Sequence, residues 1–219
     1  MEIVVIGGDI SVQECQRKFG DQHQYRVSET HSGAGELLKP ETVVFDFGMG
    51  EPTNHRVYQN FSGIVFVDVS RNAGTEIFRE STATFFGFCG LPTFLNREIL
   101  EVSLFKELDK NKLGETCRGL NTKFAVVKNQ VGLITPRVIC MIINESYFAI
   151  QENIASRNDI DLAMKLGTNY PFGPFDWCER IGIKNVYELL RAVYENTKDD
   201  RYKICELLEE EAGHFTPRR

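Results

Sequence analysis

An α/β unit built on a largely parallel sheet, followed by an all-helical domain, is the fold class that this sequence predicts. Three observations carry it. Up to residue 128, short β-rich runs alternate with polar or amphipathic stretches, and strands spaced in this way need crossover connections and hence parallel pairing. From residue 129 to 219 no convincing strand run occurs, and segments of helical period are each opened or closed by Gly, Pro, Asn or Asp. The first run, "EIVVIG", ends in two glycines before a polar stretch, as a strand does when it turns into a helix. The expected domains are therefore residues 1–128 and 129–219.

In chain order the strand candidates are "EIVVIG", "QYRVS", "TVVFDF", "GIVFVD", "TFFGF" and "KFAVVK". The helical candidates of the second half start with "VGLITPRVICMIINESYFAI". They continue with "IDLAMKLG", "PFDWCERIG", "VYELLRAVYEN" and "YKICELLEEEA". A hydrophobic content of 42% with 26% charged residues is ordinary for a globular chain. The net charge of −6, with no basic block, argues against a nucleic-acid surface. The longest apolar run, "VICMII", is too short for a membrane span. Six widely spaced cysteines without a CxxC pair or a leader point to reduced core thiols and a cytoplasmic protein. His23, His31, His55 and His214 lack metal-ligand spacing and read as scattered surface residues, so no metal is expected. "ELLEEE" reads as a solvated helix face, and "HFTPRR" as a frayed tail.

The glycine turn bears on a cofactor. A dinucleotide-binding turn needs G-x-G-x-x-G, one glycine each for the tight turn, the approach of the diphosphate and the helix–strand packing. Here Gly7 fills the first position, Asp9 the second and Val12 the third. Asp9 adds bulk and a negative charge where a diphosphate would come. Two like charges about 4 Å apart repel by roughly 1 kcal/mol in bulk water and about 4 kcal/mol at an effective dielectric of 20. Glu29, at the end of the second strand candidate, is the acid that could meet a ribose. The loop keeps a Rossmann-like shape, and its ligand is expected to be lost.

Residues 159–182, "DIDLAMKLGTNYPFGPFDWCERIG", combine an Asp-initiated helix, a stop at Gly167, a turn at Gly173 and Pro174 at a first helical position. This run resembles the C-terminal domain of the 3-hydroxyacyl-CoA dehydrogenases, which reads Asp-x-Ala-Met-Lys-x-Gly-x-x-x-Pro-x-Gly-Pro. Upstream, "VVKNQVGLITPRVI" is similar to the family's inter-domain segment. The resemblance is strong over about residues 123–182 and fainter, but in order, before that. It implies a shortened Rossmann-like domain followed by a helical domain of the 6-phosphogluconate dehydrogenase C-terminal type. It also implies NAD as cofactor, acyl-CoA as ligand and dimerisation through the helical half.

The family passes hydride from a 3-hydroxyacyl-CoA to NAD, using a His base, a Glu that orients it, and an Asn and a Ser near the cofactor. Aligned on "GFCGLPTFLNREILEV", Cys89 stands at the His position and Glu101 at the Glu position, on what the resemblance makes a helix. Arg137 matches the family's Arg, but Pro136 stands where the Asn belongs, and Ser70 lies near the family's Ser. A thiol, with a reference pKa of about 8.5, is a poor general base at neutral pH. Two functions follow. One is a degenerate family member without hydride transfer, needing no cofactor and acting as a dimeric ligand- or partner-binding protein. The alternative is an active NAD(P)-dependent 3-hydroxyacyl-CoA (3-hydroxybutyryl-CoA) dehydrogenase with a rearranged site. The homodimer is expected on physical grounds too, since the 131–150 helix is apolar around much of its circumference.

Overall fold

The computed structural model describes residues 1–48, 54–74 and 82–213, so the tail expected to fray, with His214, lies outside them. The chain divides into two compact units, Met1–Leu133 and Ile134–Arg219.

In the first unit, among the described residues, seven strands form one sheet. They are β1 (Glu2–Ile6), β2 (Gln24–Ser28), β3 (Val43–Asp46), β4 (Ile64–Asp68), β5 (Thr84–Phe88), β6 (Ile99–Leu104) and β7 (Lys123–Val127). Their order is β2-β1-β3-β4-β5-β6-β7, and all neighbours are parallel except β5 and β6. Among the described residues three helices accompany the sheet: α1 (Asp9–Phe19), α2 (His31–Ala34) and α3 (Lys110–Gly119). A 3-10 turn lies at Asn54–Tyr58. The central strands β3 and β5 are buried along their whole length, as expected of continuous apolar runs, while β2 at the edge is half exposed. Stacked rings fill the middle: Phe45 lies on Phe66 at 4.6 Å, and the edge of Phe88 meets Phe45 at 5.6 Å.

Each of the six strand candidates is a strand, but β6 corrects the sequence reading. Residues 99–104 were expected on a helix and form a strand, in which Leu100 and Val102 are buried and alternate with more exposed Ile99 and Glu101. The sequence carried that period of two, and the resemblance obscured it.

The second unit is helical throughout its described residues: α4 (Thr135–Gln151), α5 (Arg157–Thr168), α6 (Pro174–Ile181), α7 (Ile183–Thr197) and α8 (Glu206–Glu211). Helix α4 is its centre and packs on the other four. Buried Asn144 donates to the Lys203 carbonyl and accepts from the Cys205 amide at 2.9 Å, fixing the entry into α8. That last helix is not simply a solvated face, since Leu208 is fully buried.

The signature run proves to be a joint between two helices. Two details differ from expectation. Helix α5 starts at Arg157, with Ser156 as the N-cap accepting from the Asp159 amide, so Asp159 sits inside the first turn. It also passes through Gly167 and ends at Asn169, whose φ of 56° supplies the left-handed cap. Asp161 then reaches across to α6. Its carboxylate accepts from the amides of Phe175 (2.8 Å) and Asp176 (3.1 Å), two donors that the start of a helix otherwise leaves open. Gly173 is required at this joint because any Cβ there would overlap the Asp161 carboxyl. Pro174 takes the first helical position, where its missing N–H costs nothing. Lys165 pairs with Asp176, and Phe172 meets Trp177 edge-on at 5.0 Å.

Candidate functional site

In an open, doubly wound sheet, ligands sit outside the carboxyl ends of the strands where the strand order reverses. Here β1 connects through α1 to β2 on one side, and the next crossover returns to β3 on the other. The reversal therefore lies between β1 and β3.

At the end of β1, the Gly7 amide donates to the Ser28 carbonyl at 3.0 Å. A Cβ on Gly7 would come within 2.7 Å of Ser11 Oγ and 3.2 Å of Phe47 Cβ, so the turn needs its glycine. Gly8 is the N-cap of α1, and Asp9 is its first residue and exposed. Val12 is partly buried against the core, so its side chain is accommodated where a third glycine was expected. Of the two departures from the dinucleotide pattern, Asp9 alone bears on a ligand.

Between the ends of β2 and β3 opens a cavity of about 710 Å³, lined by Glu29, Thr30, His31, Ser32, Gly48, Arg56 and Val57. Its organiser is Asp46, the last residue of β3 and fully buried. His31 Nε2 bonds Asp46 Oδ2 at 2.8 Å, the Tyr58 hydroxyl donates to the same oxygen at 2.7 Å, and the Gly48 amide donates to Oδ1 at 2.9 Å. Burial first, and then the adjacent Asp46 carboxylate, hold the Tyr58 phenol well above its ordinary pKa, so it stays a donor. The sequence reading missed this cluster. His31 is not a scattered surface histidine, because its side chain is only 14% exposed. His23 is buried too, beside the N-terminal amine at 3.2 Å, and burial lowers its pKa. The signal in the sequence was an acid at a strand end, "VVFD", the same class of signal that singled out Glu29.

A second cluster lies at the ends of β4 and β5. Asp68 accepts from the Ser70 amide (2.9 Å), the Ser70 hydroxyl (3.0 Å) and the Gly90 amide (2.9 Å). Burial raises its pKa, and these donors oppose the shift. Ser70 and Cys89 are both buried, and Cys89 directly precedes the Gly90 that Asp68 holds. Because β6 runs antiparallel to β5, its first half, with Glu101, lies at the same sheet edge as Cys89. The structure thus sets Ser70 and Cys89 just beyond the carboxyl ends of β4 and β5, with Glu101 in the antiparallel neighbour β6. Pro136 and Arg137 belong to the helical unit: Pro136 is buried in the first turn of α4, and Arg137 lies over the Tyr202 ring at 5.5 Å. Among the described residues no group of three or more His, Cys, Asp or Glu is placed to hold a metal ion. No described helix is long and apolar enough to cross a membrane.

Comparison with known proteins places both units. The model of the 3-hydroxyacyl-CoA dehydrogenase C-terminal domain matches residues 132–215. A 3-hydroxyadipyl-CoA dehydrogenase of Escherichia coli is 41% identical over 81 residues, which is 37% of this chain and 17% of that protein. A probable 3-hydroxybutyryl-CoA dehydrogenase of Bacillus subtilis is 32% identical over 114 residues, covering 44% of this chain and 40% of its own length. The chain therefore spans well under two thirds of these relatives. In fold, the (S)-3-hydroxybutyryl-CoA dehydrogenase of Ralstonia eutropha covers 97% of the chain, and 93% of that protein is matched, at a TM-score of 0.73 and 15% identity. The seven-stranded sheet and the helices after it have the architecture of such enzymes, and residues 132–215 match the C-terminal domain of the 3-hydroxyacyl-CoA dehydrogenases.

Proposed function

We propose that the chain is a family member that has lost hydride transfer and acts as a dimeric ligand- or partner-binding protein, with an acyl-CoA as the ligand class its helical domain suggests. The observation that carries this reading is Asp9. A helix N-terminus attracts an anion, and α1 opens with an exposed carboxylate of its own. A dinucleotide's diphosphate would have to approach that charge, so the residues present do not fit NAD. The other end of the site supports the same reading. Cys89 offers a buried thiol in place of an imidazole, and the Ser70 hydroxyl is already given to Asp68; in the sequence, Pro136 stands where the resemblance expects an amide side chain.

The second reading, an active NAD(P)-dependent 3-hydroxyacyl-CoA dehydrogenase with a rearranged site, is favoured by Glu29 beside a cavity at the topological switch point. Two measurements separate them. Calorimetric titration is expected to show no NADH binding at micromolar concentration, and acetoacetyl-CoA reduction with NADH is expected to stay at background. Micromolar binding, or turnover that disappears in Cys89→Ala or Glu101→Ala, decides for the active enzyme. The homodimer is supported by the exposed apolar residues of the helical unit, Ile134 at the N-cap of α4, Val138 on α4, and Leu162 and Leu166 on α5. Six buried free thiols fit a reducing compartment, and we place the protein in the cytoplasm on that ground.

A further inference from the structure

Among the described residues, six other than glycine hold a positive φ, and three of them are asparagines, which tolerate it. Thr93 is the β-branched one, at a φ of 77°, a backbone that a branched side chain strongly disfavours. The same residue carries a second cost. Its hydroxyl oxygen is shut off from solvent and has no hydrogen-bond partner among the described residues. Features of both kinds persist only where the surroundings over-determine them, and they gather at functional or switching segments.

The surroundings here form a strap. Residues 90–98 leave the end of β5 and lead to the start of β6, and they are pinned at both ends. At the start, the Gly90 amide donates to Asp68 Oδ1 at 2.9 Å. At the far end, the Asn96 amide donates to Glu14 Oε2 of α1 at 3.3 Å, and Lys18 Nζ of the same helix donates to the carbonyls of Arg97 and Glu98. Between the pins Leu91, Phe94 and Leu95 are buried, and Leu95 belongs to the core. Thr93 stands in the middle of this span. We propose that residues 90–98 swing between this closed state and an open one, in which Thr93 relaxes to a negative φ and its hydroxyl meets water. Opening uncovers Cys89, the residue at the root of the strap, which is only 5% exposed when the strap is closed. Glu14 and Lys18 hold the strap shut, and the strain at Thr93 keeps the open state within thermal reach.

The test follows alkylation of Cys89 by iodoacetamide in the native full chain, read by peptide mass spectrometry. Cys117, wholly buried in the same unit, reports general unfolding. Cys89 is expected to react at least about tenfold faster than Cys117, because it needs only the local opening. Thr93→Val keeps the side-chain shape and removes the unsatisfied hydroxyl, while Thr93→Gly accepts the positive φ. Each is expected to slow Cys89 by roughly fivefold, since each stabilises the closed strap. Lys18→Met keeps the apolar stem, removes the two bonds to the strap and is expected to speed Cys89 by about tenfold. Circular dichroism checks each fold, and the two Thr93 variants decide alone if Lys18→Met does not fold. Equal rates for Cys89 and Cys117, or a Cys89 rate unmoved or raised in both Thr93 variants, overturns the inference.

Discussion

Every cysteine in the chain is buried and free, and the consequence is a predictable response to pH. Burial pushes the Cys117 thiol up to about 12 and the Cys178 thiol up to about 11, and it raises Cys15 and Cys140 further. A group whose pKa is higher folded than unfolded contributes stability that is fully present below its unfolded value, here about 8.5, and is lost as pH rises through the folded one. Urea midpoints are therefore expected to hold to about pH 8 and then fall through pH 9 and 10, as the unfolded thiols ionise and the folded ones cannot. A midpoint flat across that range contradicts the assignment. The same burial predicts that a thiol reagent labels the native protein slowly and reaches all six cysteines only after unfolding.

Among the elements, the joint between α5 and α6 makes the sharpest prediction. Asp161 satisfies two amides at the start of α6, so Asp161→Ala is expected to cost about 1–2 kcal/mol in denaturant unfolding, the range for a lost N-cap. Gly173→Ala forces a methyl into the Asp161 carboxyl and is expected to cost about 1–3 kcal/mol by overpacking. The double variant should then cost less than the sum, because removing the carboxylate removes the overlap. Strict additivity would show that the two residues do not act on each other. This coupling gives Asp161, Gly173 and Pro174 a shared structural role in this chain. They fasten one helix to the next, and none of them performs chemistry in that role.

At the scale of the whole molecule, the proposed homodimer rests on what the monomer leaves uncovered. Tyr187 and Leu190 of α7 are buried, yet Ile134 is 56% exposed and Leu166 78%. Hiding one such aliphatic side chain stabilises by roughly 1.5–3 kcal/mol, so covering several of them favours association. Light scattering at micromolar concentration is expected to give twice the chain mass, and Leu166→Glu is expected to shift the protein toward monomer with its helical content intact. A wild-type mass equal to one chain removes the dimer. In the helical unit Asp161, Gly173 and Pro174 of the signature run join α5 to α6.

Much of this was legible in the order of residues alone. Apolar runs such as "TVVFDF" and "GIVFVD" determine parallel strands, because a strand covered on both faces has no polar face to show. Gly173-Pro174 determines a helix start through a missing Cβ and a missing N–H, properties that do not depend on context. Asp9 after Gly7-Gly8 reported the altered turn directly, since a turn and its charge are local. Partnership between distant residues was not legible. The alternation in "ILEVSL" is short and ambiguous by itself, and pairing with β5 and β7 decided that it is a strand. His31, Asp46 and Tyr58 lie up to 27 positions apart in the sequence. Nothing in their spacing marks them as a cluster. They meet because the strand order reverses beside β1, which brings the end of β2 and the end of β3 to one crevice, and only the folded sheet supplies the buried carboxylate that orients the imidazole there.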